Sequence, residues 1–113
     1  MSFAGYQSLM NDTKWEEIWL AMIDIPELIY WRQKDMETSY TCDWDAEWFH
    51  HFKTDGDKGS YIVIEWLEIK FENEEMKKKL LKILKEIHVP GEVLENTIKV
   101  YGYIKEGTFM DYI

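Results

Sequence analysis

The segment formed by residues 60–71 constrains the fold more than any other, because it is extended and apolar on both sides. One face would carry Ile62, Ile64 and Trp66, and the other would carry Tyr61, Val63, Leu67 and Ile69. A strand that is apolar on both faces lies inside a sheet and is covered at least partly on each side. We therefore predict a sheet with this segment as a central strand.

Two other stretches carry apolar residues at steps of three and four, which is the spacing of one buried helical stripe. The first helix is predicted to begin at Asp12 or Thr13 and to end before Pro26. The second is predicted to have Asn73 as its N-cap and to run to about His88. Its glutamates come first and its lysines later, as the helix dipole favours.

Short runs between turn residues predict the remaining strands. They cover residues 28–36, 39–42, 47–53 and 98–104, with a turn at 43–46 and a loop at 55–59. The predicted fold class is α+β: a mainly antiparallel sheet of about four to five strands with two helices packed on it, in the order α-β-β-β-α-β. No linker or repeat divides the chain, so residues 1–113 are predicted to form a single domain.

The protein is predicted to be cytoplasmic. It has one cysteine, Cys42, which excludes an internal disulfide and suits a reducing compartment. The N-terminus lacks the basic and apolar regions of a secretory signal, and no stretch approaches the roughly 20 apolar residues of a membrane span. Cys42 is predicted to be an ordinary small residue, since neither a second cysteine nor a catalytic motif accompanies it.

Acidic residues outnumber basic ones, with 22 Asp and Glu against 13 Lys and Arg and a net charge of -9. The imbalance is greatest at residues 35–57, where seven acids accompany a single lysine. Such charge opposes binding to nucleic-acid phosphates and to anionic membranes, both of which attract Lys and Arg. It favours a basic protein as the partner.

The centre of this acidic region interleaves carboxylates with aromatic side chains, in the run DWDAEWF at residues 43–49. A rigid apolar anchor ringed by charge is typical of an interface that steers an oppositely charged partner. Two interpretations of Trp44 stay open: an exposed anchor, or a side chain that folds back to plug the end of the sheet. The predicted partner-binding residues are Asp35, Glu37, Asp43, Trp44, Asp45, Glu47 and Trp48.

Two other functions are compatible with the sequence. A small metal- or ligand-dependent enzyme would use Asp43, Asp45, Glu47 and either His50 or His51. Adjacent histidines on a strand point to opposite faces and cannot both bind one ion, so we predict no metal, no cofactor and no catalytic residue. Alternatively, the chain could form a homodimer through an edge strand or through its tail, residues 108–113.

Several segments resemble a group of small uncharacterised bacterial proteins. They are NDTKW at 11–15, WRQK at 31–34, DWDAEWF at 43–49, HF at 51–52 and IEWLEI at 64–69. The group has no established activity, so the resemblance implies no functional residues. In size, acidity and fold class the chain is also similar to the immunity proteins of bacterial toxin systems. That likeness of type implies an immunity or antitoxin protein that covers a basic toxin domain.

Overall fold

The computed structural model describes residues 3–49, 51–52, 61 and 63–113. Its elements in chain order are β1 (Tyr6–Ser8), α1 (Asp12–Ile23), β2 (Trp31–Asp35), β3 (Ile64–Lys70), α2 (Glu74–Ile87), β4 (Gly91–Val93), β5 (Thr97–Tyr101) and β6 (Tyr103–Lys105). The main sheet is antiparallel with the strand order β2-β3-β5-β4, and β1 pairs with β6 in a separate ribbon. The predicted α+β class is confirmed, the predicted order matches roughly, and β3 lies inside the sheet as expected.

Helix α1 begins with a different cap from the predicted one. Asn11 is the N-cap, and its side-chain oxygen accepts a hydrogen bond from the backbone N–H of Lys14 at 2.8 Å. The predicted caps Asp12 and Thr13 lie in the first turn instead. Asn, Asp and Thr are all favourable N-cap residues, so a sequence with the three side by side does not show which one caps the helix. The helix ends at Ile23, just before the segment that contains Pro26.

Helix α2 has the predicted N-cap, since the side chain of Asn73 accepts a hydrogen bond from the backbone N–H of Met76 at 2.8 Å. Leu80 and Leu84 are buried, and most of the lysines lie on the exposed side. The helix closes at His88, whose φ of 66° is left-handed, followed by Pro90. No helix in the described part of the chain is both long and apolar enough to cross a membrane.

The core lies between the two helices and one face of the main sheet. This inner face carries Trp31, Leu67, Ile69, Ile98 and Val100, which cluster with Trp15, Ile18, Met22, Leu80 and Leu84 of the helices. The opposite, outer face carries Arg32, Trp66, Glu68, Lys99 and Tyr101. On this outer face Glu68 is buried and accepts hydrogen bonds from Arg32 Nε and from Thr97 Oγ1, each at 2.7 Å.

Where the structure describes them, two of the predicted strands are not formed. Residues 39–42 contribute only an isolated bridge at Thr41, and 47–49 and 51–52 have no strand structure. The predicted turn at 43–46 is also wrong, because Asp45 pairs with Trp31 of β2. The loop at 55–59 and the ends of the strands predicted at 47–53 and 60–71 lie partly or wholly outside the described residues.

The free edge of β4 is partly covered by the end of the chain. The backbone N–H of Gly91 donates to the Asp111 oxygen at 3.0 Å, and that of Ile113 donates to the Val89 oxygen at 2.8 Å. Tyr112 also stacks on His88, with ring centroids 4.6 Å apart. Much of the tail that we considered as a dimer contact therefore packs within its own chain.

Candidate functional site

The acidic loop, which we define as residues 41–49, runs along the outer edge of β2. Trp31 and Asp45 exchange two backbone hydrogen bonds of 2.8 and 2.9 Å, and the backbone N–H of Cys42 donates to the Gln33 oxygen at 3.1 Å. The loop takes four steps from Thr41 to Asp45 where the strand takes three from Lys34 to Trp31, so the loop bulges. It protects this edge without forming a regular strand.

Three indole N–H groups hold the loop against the rest of the fold. Trp19 Nε1 donates to the backbone oxygen of Trp48 at 2.7 Å, and Trp31 Nε1 donates to that of Glu47 at 3.3 Å. In return, Trp48 Nε1 donates to the backbone oxygen of Ile29 at 2.9 Å. These bonds satisfy backbone carbonyls that an irregular, partly buried segment would otherwise leave unpaired.

Side-chain bonds fix the second half of the loop. Asp45 Oδ1 accepts from the backbone N–H of Glu47 at 2.8 Å, and Asp45 Oδ2 lies 2.9 Å from His51 Nδ1. Glu47 Oε2 accepts from the backbone N–H of His51 at 3.2 Å. Burial raises the pKa of the Asp45 carboxyl, but the bonds from Glu47 and His51 outweigh burial and leave the pKa below its usual value.

The other predicted acids lie at the surface. Asp35 is half-buried, and its Oδ1 accepts from the backbone N–H groups of Glu37 and Thr38 at 2.7 and 3.0 Å, which closes the turn after β2. Glu37 and Asp43 are exposed. Within the described ranges, none of Asp35, Glu37 and Asp43 forms a salt bridge. Glu37 and Asp43 therefore present their charge to solvent.

The two tryptophans of the loop occupy different environments. Trp44 is half-buried, and its ring lies under the Arg32 guanidinium at 4.6 Å and the Lys70 ammonium at 5.3 Å. Two cations of the main sheet therefore lie against the ring. Trp48 is only 5% exposed and packs on Trp31 and Phe52, at centroid distances of 5.5 and 5.2 Å. That these residues bind a partner stays a prediction, but a core position leaves Trp48 little to offer at the surface.

A first cleft of about 270 Å³ lies on one side of the loop. Its lining is Trp31, Gln33, Asp35, Thr38, Tyr40, Cys42, Asp45 and His51. The side-chain oxygen of Gln33 is buried and has no hydrogen-bond donor among the described residues. The Cys42 sulfur accepts from the Gln33 backbone N–H at 3.4 Å, and the described contacts include no bond between this sulfur and His51. Among the described residues, the thiol therefore has no contact with a base of the kind that activates a nucleophilic cysteine.

The metal-dependent alternative gains no cluster of ligands. The structure joins Asp45, Glu47 and His51, but the described contacts include no bond from Asp43 to them, and His50 lies outside the described residues. In the described portion, no group of three or more His, Cys, Asp and Glu side chains is arranged to hold a metal ion.

A second cleft of about 310 Å³, which we call the α1 groove, lies between the end of α1 and the end of the loop. Its lining is Met22, Ile23, Ile25, Pro26, Glu27, Leu28, Ala46, Glu47, Trp48 and Phe49. Neither cleft has Lys or Arg among these described lining residues, whereas each has two carboxylates. The acidic loop contributes to both clefts, since Asp45 lines the first and Glu47 lines the α1 groove.

The sequence did not reveal the α1 groove. Ile23 continues the apolar spacing of α1 that predicts a buried stripe, but at the last position of the helix it is 37% exposed. Leu28 was assigned to a strand and Phe49 to another, yet they are 67% and 55% exposed. One feature of the sequence did point to the groove. Apolar residues continue on both sides of Pro26, past the predicted end of α1, where the helix can no longer bury them.

Comparison with known proteins gives one family. A family model described as "Family of unknown function (DUF6678)" matches residues 3–107, nearly the whole chain. No curated protein and no solved structure matches the chain.

Proposed function

Because the chain belongs to the DUF6678 family, whose function is unknown, we propose a function from the geometry of its surface. The protein is a binding module whose acidic loop, with the two clefts to which it contributes, takes a basic protein partner. The observation that carries this proposal is that both clefts are lined by carboxylates and by no Lys or Arg among the described residues.

The rigidity of the loop favours binding. Indole hydrogen bonds from Trp19, Trp31 and Trp48 hold its backbone, so little conformational entropy remains to be lost when a partner docks. The exposed carboxylates of Glu37 and Asp43 lie next in sequence to cleft-lining residues and extend the negative field beyond the clefts. Such a field accelerates the encounter with a positively charged surface.

A toxin-immunity role is the finer form of this proposal. A small acidic protein with a net charge of -9 and a preformed acidic surface is suited to cover the basic surface of a toxin domain. The module would then act in the bacterial cytoplasm, where the toxin must be masked. Catalysis has no part in this role.

The test compares two variants with equal changes in net charge. The first is Glu37→Lys with Asp43→Lys, and the control is Glu72→Lys with Glu95→Lys, four exposed positions in all. Each protein is used to capture partners from lysate of the source organism, and association rates with the captured partner are measured from about 50 to 500 mM salt. We expect the first variant to slow association about tenfold at low salt and the control to change it little.

Two results would contradict the proposal. One is a captured partner with an acidic or neutral surface, and the other is an association rate that neither salt nor the first variant alters.

A further inference from the structure

We propose that the α1 groove is the docking site for an amphipathic segment of the partner, with apolar side chains in the groove and Lys or Arg at its rim. This inference rests on the proposed function and specifies which part of the acidic surface makes the apolar contact. It adds the apolar side chains of the groove, which the acidic-surface argument does not use.

The apolar part of the groove is accessible. Ile23, Leu28 and Phe49 line it and are 37%, 67% and 55% exposed. Leu20 lies three residues before Ile23 on the same side of α1 and is 51% exposed, so the apolar surface continues along the helix. Adjacent exposed apolar side chains rimmed by polar ones mark sites of protein interaction more often than isolated ones do.

The electrostatics of the rim select a cationic occupant. Glu27 and Glu47 line the groove, and Asp24 is exposed at the C-cap of α1. The last turn of α1 contains no basic residue, so nothing within the helix offsets the negative end of its dipole at this place. Lys79 pairs with Glu27 at 3.0 Å and offsets part of the charge. The negative charge that Lys79 does not offset would stabilise a Lys or Arg side chain of the partner beside the end of α1.

The floor of the groove is rigid. Trp48 is buried beneath it, and the ring of Phe49 contacts that of Trp19 at a centroid distance of 5.6 Å. The bond from Trp19 Nε1 to the Trp48 backbone ties α1 to the acidic loop, which joins the two walls of the groove. The groove is therefore preformed, and an apolar side chain can enter it without reorganising the core.

A second copy of the chain is the competing occupant. The outer face of α2 carries Lys78, Lys82 and Lys85 around the half-buried Leu81, which is the chemistry that the groove selects. Two copies joined in this way, groove to helix, would form a closed ring or an open filament according to the rotation between them. Because each copy carries a net charge of -9, two copies repel each other, and we favour a separate partner.

The test uses a synthetic amphipathic peptide of about 18 residues as the probe, with leucines on one helical face and lysines on the other. A second peptide carries Glu in place of every Lys, and a third has the first composition without the helical spacing. Binding is followed by NMR, through the backbone amide shifts of the whole protein. We expect saturable shifts at the groove with the first peptide alone, and about tenfold weaker binding to Ile23→Ser and to Leu28→Ser.

Matched controls lie elsewhere on the surface. Leu94 is 37% exposed, as Ile23 is, and Phe109 is 81% exposed. Leu94→Ser and Phe109→Ser should leave the affinity unchanged. The inference is overturned by shifts outside the groove, by equal binding of the Glu peptide or the respaced peptide, or by the absence of saturable binding. It is also overturned if sedimentation shows a dimer of the protein alone that Lys82→Glu dissociates.

The two proposals fail in different ways. If the Glu37 and Asp43 variant weakens binding of the captured partner while Ile23→Ser and Leu28→Ser do not, the groove inference falls and the acidic module remains. If the groove substitutions weaken it while the charge variant has no effect, the groove remains and the electrostatic function falls.

Discussion

At the scale of single residues, the tryptophans explain how an irregular acidic segment can be rigid. Trp48 brings a large ring into the core and an N–H donor to the Ile29 carbonyl, and Trp19 and Trp31 do the same for the loop backbone. Trp44 differs, since its ring lies on the outer face against Arg32 and is half-exposed. Burial and hydrogen bonding, rather than residue type, separate these structural and surface tryptophans.

This difference predicts unequal costs of substitution. Trp48→Ala should lower the free energy of unfolding by about 3–5 kcal/mol, because it leaves a cavity and an unpaired carbonyl. Trp44→Ala should lower it by about 1 kcal/mol or less, the size of a partly exposed cation–π contact. Urea unfolding monitored by circular dichroism measures both. Equal effects would refute the assignment of Trp48 to the core and Trp44 to the surface.

The Asp45–His51 pair predicts a dependence on acid. A carboxyl whose folded pKa lies below its unfolded value of about 4 stabilises the fold above that pH, and this contribution is lost as the pH falls through the folded pKa. His51→Ala should raise the pKa of Asp45 toward its usual value, as measured by carboxyl carbon NMR, and acid destabilisation should then begin at higher pH. His88→Ala is the control, because His88 stacks on Tyr112 instead. A pKa of Asp45 that His51→Ala leaves unchanged would contradict this account.

At the scale of helices and strands, the sequence pattern predicted the features that depend on interactions between neighbouring residues. The cap at Asn73 involves neighbouring residues and was correctly predicted, as was the position of β3 inside the sheet. The strict alternation predicted for β3 holds from Trp66 to Ile69 but not at Ile64, where the pairing with β2 shifts register. By contrast, residues 47–53 were predicted to form a strand, and their described part, which includes Trp48 and Phe52, does not form one. The donors and acceptors that hold this part of the chain lie 19 and 29 residues away, in segments that sequence spacing does not connect.

The candidate site was predictable to the same extent. The charge of the acidic region follows from composition, and the structure places Asp45 and Glu47 on the walls of two clefts. The α1 groove was not predictable, because it depends on where α1 ends relative to a loop that is distant in sequence. Its apolar residues resemble core positions until the packing shows that Ile23 and Leu28 remain outside.

At the scale of the whole molecule, the charges are segregated. The lysines of α2 lie mostly on its exposed side, whereas the acidic loop and the end of α1 carry carboxylates and line clefts without Lys or Arg among the described residues. With a net charge of -9, repulsion among like charges opposes the compact state, and the acidic side bears most of that cost. A basic partner would relieve the same repulsion that it exploits for recognition.

This coupling predicts that salt has opposite effects on folding and on binding. Between about 0.1 and 1 M NaCl the Debye length falls from about 10 to 3 Å, so repulsion within the protein and attraction to the partner both weaken. The free energy of unfolding, measured with urea, should rise by about 1 kcal/mol or less, while association with the basic partner slows. The Glu37→Lys and Asp43→Lys variant should show smaller changes of both kinds. The opposite result would be a free energy of unfolding that falls with salt while association slows. In that case, loss of folded protein, and not loss of attraction, would explain the weaker binding.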